Sequence, residues 1–313
     1  MLTTQKNLTV DSIAGAEQEL FSRDYPGLES GCIFILGAPR TGSTVLYQAM
    51  SSAFKLPFIS NFTNTYFSSA PIVGLAIQNG ISSEISFKSS FGKTMGAFEP
   101  SEGSAVMSQW FGGGHPSQTV SARILDGREE HFIKTLRAAE GLFGRPLLLK
   151  NAWHCFRVDY LAAVLPRAKF VWIRRDIAAA ALSDLEARYE TKGDAHSWNS
   201  ATPSNVEELA QRPPVEQVVE NQFEFNSAIS SSFARGAVGR HFEVWYEELL
   251  LEPRAVLLAL AKSLDLPLTG PIPALSPSGT RRSHVSDKET HLLRQYISAN
   301  LERFAPSQYD ARG

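Results

Sequence analysis

Residues 31–50 constrain the fold of this chain more than any other stretch. An apolar run at 32–36 leads into a short loop, residues 37–44, of glycine, proline, arginine and hydroxyl residues. Helix-compatible residues follow from position 45 to position 50. This order predicts a buried strand, a turn whose backbone amides can cradle a phosphate, and the N-terminus of a helix.

Apolar runs alternate with helical segments along the rest of the 313 residues. We expect strands at 56–61, 147–150, 169–176 and 241–246, and helices at 128–142, 159–165, 178–188, 215–233 and 253–264. The strand runs are apolar throughout rather than alternating, which predicts a mostly parallel sheet covered on both faces, in the α/β class. No repeat or clear linker interrupts the pattern, so we expect a single domain over 1–313.

Composition and cysteine usage narrow the class of protein. The chain is 43% hydrophobic and 20% charged, and its net charge of −2 gives no basic field for nucleic acid. It has no N-terminal apolar signal segment and no run of about 18 apolar residues, so we expect no membrane span and a cytoplasmic location. Cys32 and Cys155 lack the spacing of a zinc site or a disulfide framework, which predicts two reduced, buried thiols.

The loop at 37–44 fits the phosphate-loop template G-x-x-x-x-G-S-T, with Ser43 in place of the usual lysine. Its positive charge is Arg40, inside the turn. A triphosphate with Mg²⁺ needs the missing lysine, and the strand at 169–173 ends in Arg174 and Arg175 rather than in a metal-holding aspartate. The loop therefore favours a smaller anion that needs no metal, and a plain turn between strand and helix is the alternative.

With Pro39-Arg40-Thr41-Gly42-Ser43-Thr44 and the strand before Arg175 both in view, the chain resembles the PAPS-dependent sulfotransferases. The resemblance implies a P-loop-like three-layer fold with a central, mostly parallel sheet flanked by helices. It also implies that the loop binds the 5′-phosphosulfate of PAPS, and that Arg40 stabilises charge on the sulfonate and the leaving phosphate. Donor-binding residues implied for the loop are Arg40, Thr41, Gly42, Ser43 and Thr44.

A second family element binds the 3′-phosphate of the donor through an arginine at a strand end and a serine eight residues later. Arg175 and Ser183 have this spacing. A serine one turn inside the helix can face the same anion as the strand-end arginine. Arg281 and Arg282 are implied as a C-terminal clamp on the same phosphate. The alternatives are a solvated Arg175 paired with the next residue, an aspartate, and a solvated tail at 281–282.

A third family element is Lys150, a strand-end lysine 25 residues before Arg175. The resemblance implies that it touches the bridging region of the donor. The common cytosolic members carry a catalytic histidine two residues after this lysine. Ala152 stands at that position, so the base is expected elsewhere.

The turn at 99–102 resembles the E-P-x-E turn of a bacterial branch that uses a glutamate base. Glu99 and Glu102 are both candidates, and Glu102 is favoured because Pro100 fixes the turn and aromatic residues follow it. A carboxylate in an aromatic pocket can have its pKa raised toward a useful value. Alternatively, these carboxylates cap a helix, or His154 is the base.

Together these features predict an enzyme that moves a sulfonate from PAPS to a hydroxyl or amine of a small-molecule, lipid or glycan acceptor, without a metal. Residues 145–190 would form the 3′-phosphate region, and 60–120 and 190–240 the acceptor side, with His115 a candidate for acceptor contacts. The competing readings are a P-loop nucleotide kinase or NTPase and a non-catalytic nucleotide-binding module. The aromatic residues expected to line the acceptor pocket are Tyr66, Phe67, Phe87, Phe91, Trp110 and Trp198.

Overall fold

The computed structural model describes residues 2–25, 31–81, 84–90, 92–113, 121–199, 201–235, 241–275 and 284–303. Within these ranges, strands β1 (Ile33–Leu36), β4 (Leu148–Lys150), β5 (Lys169–Arg174) and β6 (His241–Trp245) form a parallel sheet in the order β4-β1-β5-β6. Two short strands, β2 (Ser89–Ser90) and β3 (Lys93–Thr94), pair as an antiparallel hairpin.

Helices connect the strands and cover the sheet. They are α1 (Leu2–Ser22), α2 (Ser43–Phe54), α3 (Asn61–Tyr66), α4 (Pro71–Asn79), α5 (Ser104–Phe111), α6 (Glu129–Phe143), α7 (Val158–Val164), α8 (Ile177–Lys192), α9 (Val206–Leu209), α10 (Pro214–Ala234), α11 (Tyr246–Leu251), α12 (Pro253–Leu264) and α13 (Asp287–Ala299). Short 3₁₀ turns occupy Ala152–Phe156 and Leu301–Arg303. The predicted helices at 128–142, 159–165, 178–188, 215–233 and 253–264 are therefore all present, with ends shifted by a few residues.

The sheet is the middle of three layers, as strand β1 shows most clearly. Phe34 and Leu36 pack into an apolar cluster with helices α4, α5, α6, α7 and α10. Ile33 and Ile35 point to the opposite face and pack with α2, α11 and α12. Because both faces of the sheet are covered at its centre, strand β1 carries apolar residues at every position. The predicted α/β class with a covered parallel sheet is confirmed.

Helix ends follow local sequence signals. The Asp176 carboxylate accepts a hydrogen bond from the Ala179 amide (2.7 Å) and caps α8. This carboxylate therefore binds the helix N-terminus rather than Arg175. Ser286 and Glu289 form a reciprocal capping box at the start of α13. These caps set where each helix begins next to the ends of the strands.

Residues 56–61 differ from the prediction, because they form single bridges rather than a strand. Phe58 bridges Leu148 at the edge of the sheet, and Ser60 bridges Pro100. The Ser60 hydroxyl then accepts a hydrogen bond from the Thr63 amide (3.2 Å) and begins α3. A capping residue so close to the edge turns the chain away before a strand can extend.

Both cysteines are buried and unpaired, which confirms their predicted state. Among the described residues, the structure has no helix that combines the length and the apolar character needed to cross a membrane.

Candidate active site

All four parallel strands end at one edge of the sheet, and the candidate site lies there. Strand β1 leads into the loop at 37–42, β4 ends at Lys150, β5 is followed by Arg175, and β6 is followed by Tyr246. Ligand sites of open α/β sheets lie outside the carboxyl ends of their strands. This edge therefore brings together residues that are more than 200 positions apart in the sequence.

The loop between β1 and α2 is held by hydrogen bonds to its carbonyl oxygens. The Thr41 hydroxyl donates to the carbonyl of residue 38 (2.8 Å), Gln222 Nε2 to that of residue 39 (2.8 Å), and Arg175 Nη1 to that of residue 40 (2.9 Å). The first amides of α2 have no acceptor within the helix. The loop thus has the arrangement of an anion site, with fixed carbonyls and available amides at a helix N-terminus.

Gly42 is required at its position for two reasons. Its φ is 89°, in the left-handed region, and it is the N-cap of α2. A Cβ atom built on Gly42 would overlap the ring of Tyr246. Arg40 also lies in the left-handed region, with a φ of 69°, and the bond from Arg175 to its carbonyl helps to hold this conformation.

A cavity of about 1080 Å³ opens above the loop. Its wall is formed by the loop and the start of α2, the β2–β3 hairpin, the turn at 100–104, the end of β4, one face of α8 and the segment after β6. The predicted site residues on this wall are Arg40, Gly42, Ser43, Thr44, Glu102, Lys150, Arg175 and Ser183. Thr41, which is buried, instead braces the loop from behind through its hydroxyl.

Lys150 lies beside the loop and is 6% exposed. Its Nζ is 3.4 Å from the Thr44 hydroxyl and forms an ion pair with Glu102. The Thr44 hydroxyl donates to the Gly92 carbonyl (3.1 Å), so the hairpin rests on the start of α2. The lysine charge and the loop amides thus face the same space.

Arg175 and Ser183 lie on the same wall, but each contacts the loop instead of the other. The Arg175 guanidinium stacks on the ring of Tyr246 at 4.6 Å, and its Nε is buried without a hydrogen-bond partner in the described residues. The Ser183 hydroxyl accepts from Arg40 Nε (3.3 Å). Burial lowers the pKa of Arg40 and the Asp184 carboxylate opposes this shift, so Asp184 helps to keep Arg40 charged.

The two candidate glutamates occupy different environments. Glu102 lies on the cavity wall with its side chain 36% exposed and paired with Lys150. Glu99 is 5% exposed, and its carboxylate accepts from the Ser86 amide (2.6 Å) and from Gln48 Nε2 (3.3 Å). Glu99 therefore holds backbone and side-chain donors in place, whereas Glu102 faces the cavity.

The sequence model described as the sulfotransferase family matches residues 32–270 of the chain. The chain belongs to the sulfotransferase family. This membership confirms the resemblance drawn from the loop and from Arg175. Comparison with curated protein sequences gives no match.

Similar solved structures are also sulfotransferases. STF9 from Mycobacterium avium shares 16% identity and a TM-score of 0.49, with 93% of this chain and 72% of that chain covered. The sulfotransferase from Alicyclobacillus acidocaldarius shares 12% identity and a TM-score of 0.48, with 89% of this chain and 95% of that chain covered. STF1 from Mycobacterium tuberculosis H37Rv shares 15% identity and a TM-score of 0.47, with 94% of this chain and 80% of that chain covered.

His154, the alternative base for a sulfotransferase, lies in the core and not on the cavity wall. Its ring packs edge-on against Phe34 (5.3 Å) and Phe111 (6.0 Å), and it is fully buried. Burial, together with the nearby Arg157 charge, lowers the pKa of His154 well below its usual value. The imidazole is therefore a neutral core group in this sulfotransferase.

Cys155 supports the loop from below. The Gly37 amide donates to the Cys155 sulfur (3.4 Å), and the Cys155 thiol is close to the Gly37 carbonyl oxygen (3.5 Å). Burial raises the pKa of this thiol to about 12, so it remains protonated. The cysteine is thus a structural contact to the first residue of the phosphate loop.

The predicted aromatic lining is wrong for the five described residues. Trp110 is fully buried in the core and donates to His131 Nδ1 (2.9 Å), and Tyr66 is 70% exposed in a surface aromatic cluster. Phe67 and Phe87 pack against the core, and Trp198 stacks on Arg188. Aromatic residues that do line the cavity are Tyr47, Trp153 and Tyr246. Of these three, Tyr246 could have been predicted from the sequence to lie at the site, because it directly follows a parallel strand.

Three further candidates, Phe91, His115 and the pair Arg281 and Arg282, lie outside the described residues. The chain that follows the arginine pair is fastened to α8, where the Glu186 carboxylate accepts from the amides of His284 (2.9 Å) and Val285 (3.2 Å). Val285 lies on the cavity wall. The described C-terminal segment therefore begins at the side of the cavity where Ser183 lies.

Proposed function

We propose that the protein transfers a sulfonate group from PAPS to a hydroxyl or amine of an acceptor, with Glu102 as the base. The observation that carries the proposal is the convergence on one cavity of the phosphate-loop residues, the cations Arg40, Lys150 and Arg175, and the carboxylate of Glu102. Family membership supports sulfonate transfer as the type of reaction.

The residues of the cavity fit a donor with phosphates at two separate points. The helix N-terminus at residues 42–44 suits the 5′-phosphosulfate, because its amides face the cavity beside Lys150. Arg175 suits the 3′-phosphate, since its Nε is buried at the cavity wall without a partner among the described residues. An unpaired buried donor of this kind gains most from an anionic acceptor. Ser183, Arg281 and Arg282 complete the proposed 3′-phosphate site.

Bound PAPS supplies the sulfonate: the bond from sulfur to the acceptor oxygen or nitrogen forms while the bond to the phosphate oxygen breaks, and the bisphosphate PAP leaves with that electron pair. Glu102 takes the proton of the attacking group. The ion pair with Lys150 holds the Glu102 carboxylate at the cavity wall, beside the start of α2. Arg40 and Lys150 offset the negative charge on the leaving phosphate, so we expect no metal requirement.

Isothermal titration of the purified chain with PAP and, separately, with ATP and Mg²⁺ tests the donor. We expect PAP to bind and ATP with Mg²⁺ to bind far more weakly, because Ser43 replaces the lysine that a triphosphate needs. Tight binding of ATP with Mg²⁺ and no binding of PAP would overturn the proposal in favour of a kinase or NTPase.

Transfer of labelled sulfonate then separates an enzyme from a binding module. Glu102→Gln should keep PAP affinity and lose most of the transfer to the acceptor. Glu99→Gln is the matched control, because Glu99 lies away from the cavity wall. Equal loss of transfer in both variants would contradict the role of Glu102.

A further inference from the structure

The wall around Glu102 differs in chemistry from an ordinary small-molecule pocket. Three segments build it: helix α3, the β2–β3 hairpin and the turn at 100–104. Most side chains that they place on the wall carry hydroxyl or amide groups, among them Asn61, Asn64, Thr65, Ser89, Ser101 and Ser104. Pockets for apolar ligands are lined mainly by hydrophobic and aromatic side chains. This wall instead offers many hydrogen-bonding groups beside the proposed base.

The apolar side chains of the same segments are packed elsewhere. Phe62, the residue after Asn61, makes ring contacts with Phe67 and Phe98, both at 5.3 Å. None of these three rings is on the cavity wall. Helix α3 therefore turns its polar face to the cavity and its aromatic face away from it.

Two asparagines are held in place with half of each amide engaged. Asn61 Nδ2 donates to the Gly96 carbonyl (2.9 Å), and Asn64 Oδ1 accepts from the Ala105 amide at the start of α5 (2.8 Å). The other end of each amide makes no hydrogen bond within the described residues. Each asparagine is thus oriented in advance and keeps one group for a ligand.

Three hydroxyls on the wall are also available. The side chains of Thr65, Ser89 and Ser104 make no hydrogen bond to any residue that the structure describes. An apolar acceptor would strip water from these groups without replacing its hydrogen bonds, which is costly. An acceptor with several hydroxyls would satisfy them.

Trp153 adds a flat apolar surface to the same region. It lies on the cavity wall three residues after Lys150, and its Nε1 is buried. Any part of this side chain that faces the cavity is therefore ring carbon. Ring carbon on the same cavity wall as hydroxyl and amide groups matches a molecule with polar edges and a C–H face.

The paired charges on this part of the wall do not favour a charged acceptor. Glu102 and Lys150 are paired with one another, so their charges offset each other locally. Lys93, on the hairpin, is exposed and makes no ion pair in the described part of the chain. Apart from Lys93, the available polar groups that α3, the hairpin and the turn at 100–104 place on the wall are neutral.

We infer that the acceptor is a polyhydroxylated molecule of the sugar class, with one of its hydroxyls directed at Glu102. This inference rests on the proposed function. The sugar hydroxyl oxygen forms the new bond to sulfur, its proton passes to Glu102, and PAP departs with the electron pair of the broken sulfur–oxygen bond.

The test measures sulfonate transfer from labelled PAPS by the full chain to methyl glucoside, maltose and sucrose, with 4-nitrophenol and decanol as apolar competitors. We expect a sugar to have the highest kcat/KM. If 4-nitrophenol or decanol exceeds every sugar, or if no sugar accepts sulfonate while PAP binds, the sugar inference is overturned. If PAP itself does not bind, the proposed function fails as well, so the two failures are distinguishable.

Variants test the wall itself. Ser104→Ala and Thr65→Val should each raise the KM for the sugar roughly three- to tenfold, the loss of one hydrogen bond, without changing kcat or PAP affinity. Trp153→Leu should raise this KM by at least as much. Ser231→Ala is the matched control, because Ser231 is an exposed helix serine outside the cavity. If Ser104→Ala behaves like Ser231→Ala, the inference is contradicted.

Discussion

Arg174 and Arg175 are adjacent arginines with separate roles, and they provide the sharpest test of the donor site. Arg175 lies on the cavity wall, donates to the Arg40 carbonyl (2.9 Å) and has a buried Nε without a partner in the described residues. Arg174 faces away from the cavity, where its guanidinium pairs with Glu243 (2.7 Å) and stacks on Trp172 (4.7 Å).

Replacing Arg175 with methionine keeps much of the aliphatic stem and removes the charge. A charge-assisted hydrogen bond to a phosphate contributes about 1.5–3 kcal/mol, and the loop also loses the donor that holds the Arg40 carbonyl. We therefore expect PAP affinity to fall by a free energy of about 2–3 kcal/mol. This corresponds to a dissociation constant roughly 30- to 150-fold higher.

Isothermal titration with PAP measures this change, and thermal unfolding shows whether each variant is folded. Arg174→Met is the matched control. It should lower the unfolding temperature, because Glu243 loses its ion-pair partner, and leave PAP affinity within about twofold. The reasoning is refuted if Arg175→Met binds PAP as well as the unsubstituted chain, or if a folded Arg174→Met weakens PAP binding equally.

Three further predictions follow from the same geometry. In a steady-state assay, Glu102→Gln should lower kcat about 100-fold or more with unchanged PAP affinity. Glu99→Gln should keep kcat, and denaturant titration should show that it lowers the free energy of unfolding by about 1–3 kcal/mol. Gly42→Ala should weaken PAP binding at least about tenfold, because its Cβ would overlap the Tyr246 ring; unchanged titration would contradict this. His154 stays neutral in the folded protein, because burial lowers its pKa, whereas in the unfolded chain it is protonated below a pH of about 6.5. The free energy of unfolding should therefore fall by up to about 1.4 kcal/mol per pH unit as the pH drops below that value. Denaturant titrations over roughly pH 4.5 to 7, the range in which histidine titrates, should show that His154→Phe lacks this slope.

The covered parallel sheet and the phosphate loop were predictable from sequence because their signals are local. An apolar run followed by a Gly-rich turn and a helix can form few other structures, and residues 32–50 adopt that arrangement. Lys150 and Arg175 were implied by the family resemblance, and both lie where parallel strands end at one edge of the sheet. Residues 56–61 were misjudged because an apolar run does not reveal how soon a capping serine will turn the chain.

Side-chain direction could not be predicted in the same way. Trp110 and Trp153 are both aromatic residues near predicted site motifs, yet Trp110 is buried in the core and Trp153 lies on the cavity wall. Which face of an element meets the core depends on the helices packed against it, and these come from distant parts of the chain. The polar wall of α3 was hidden from the sequence for the same reason.

The stretch at 32–50 by itself determined the order of strand, tight turn with Arg40, and helix N-terminus on which the proposed anion site rests. It did so because conformation and charge within a short turn depend on neighbouring residues alone. Tertiary structure decided that Glu102 faces the cavity while Glu99 is tied to Ser86 and Gln48, and that Ser183 contacts Arg40. Those choices depend on packing between segments far apart in sequence, which no local pattern records.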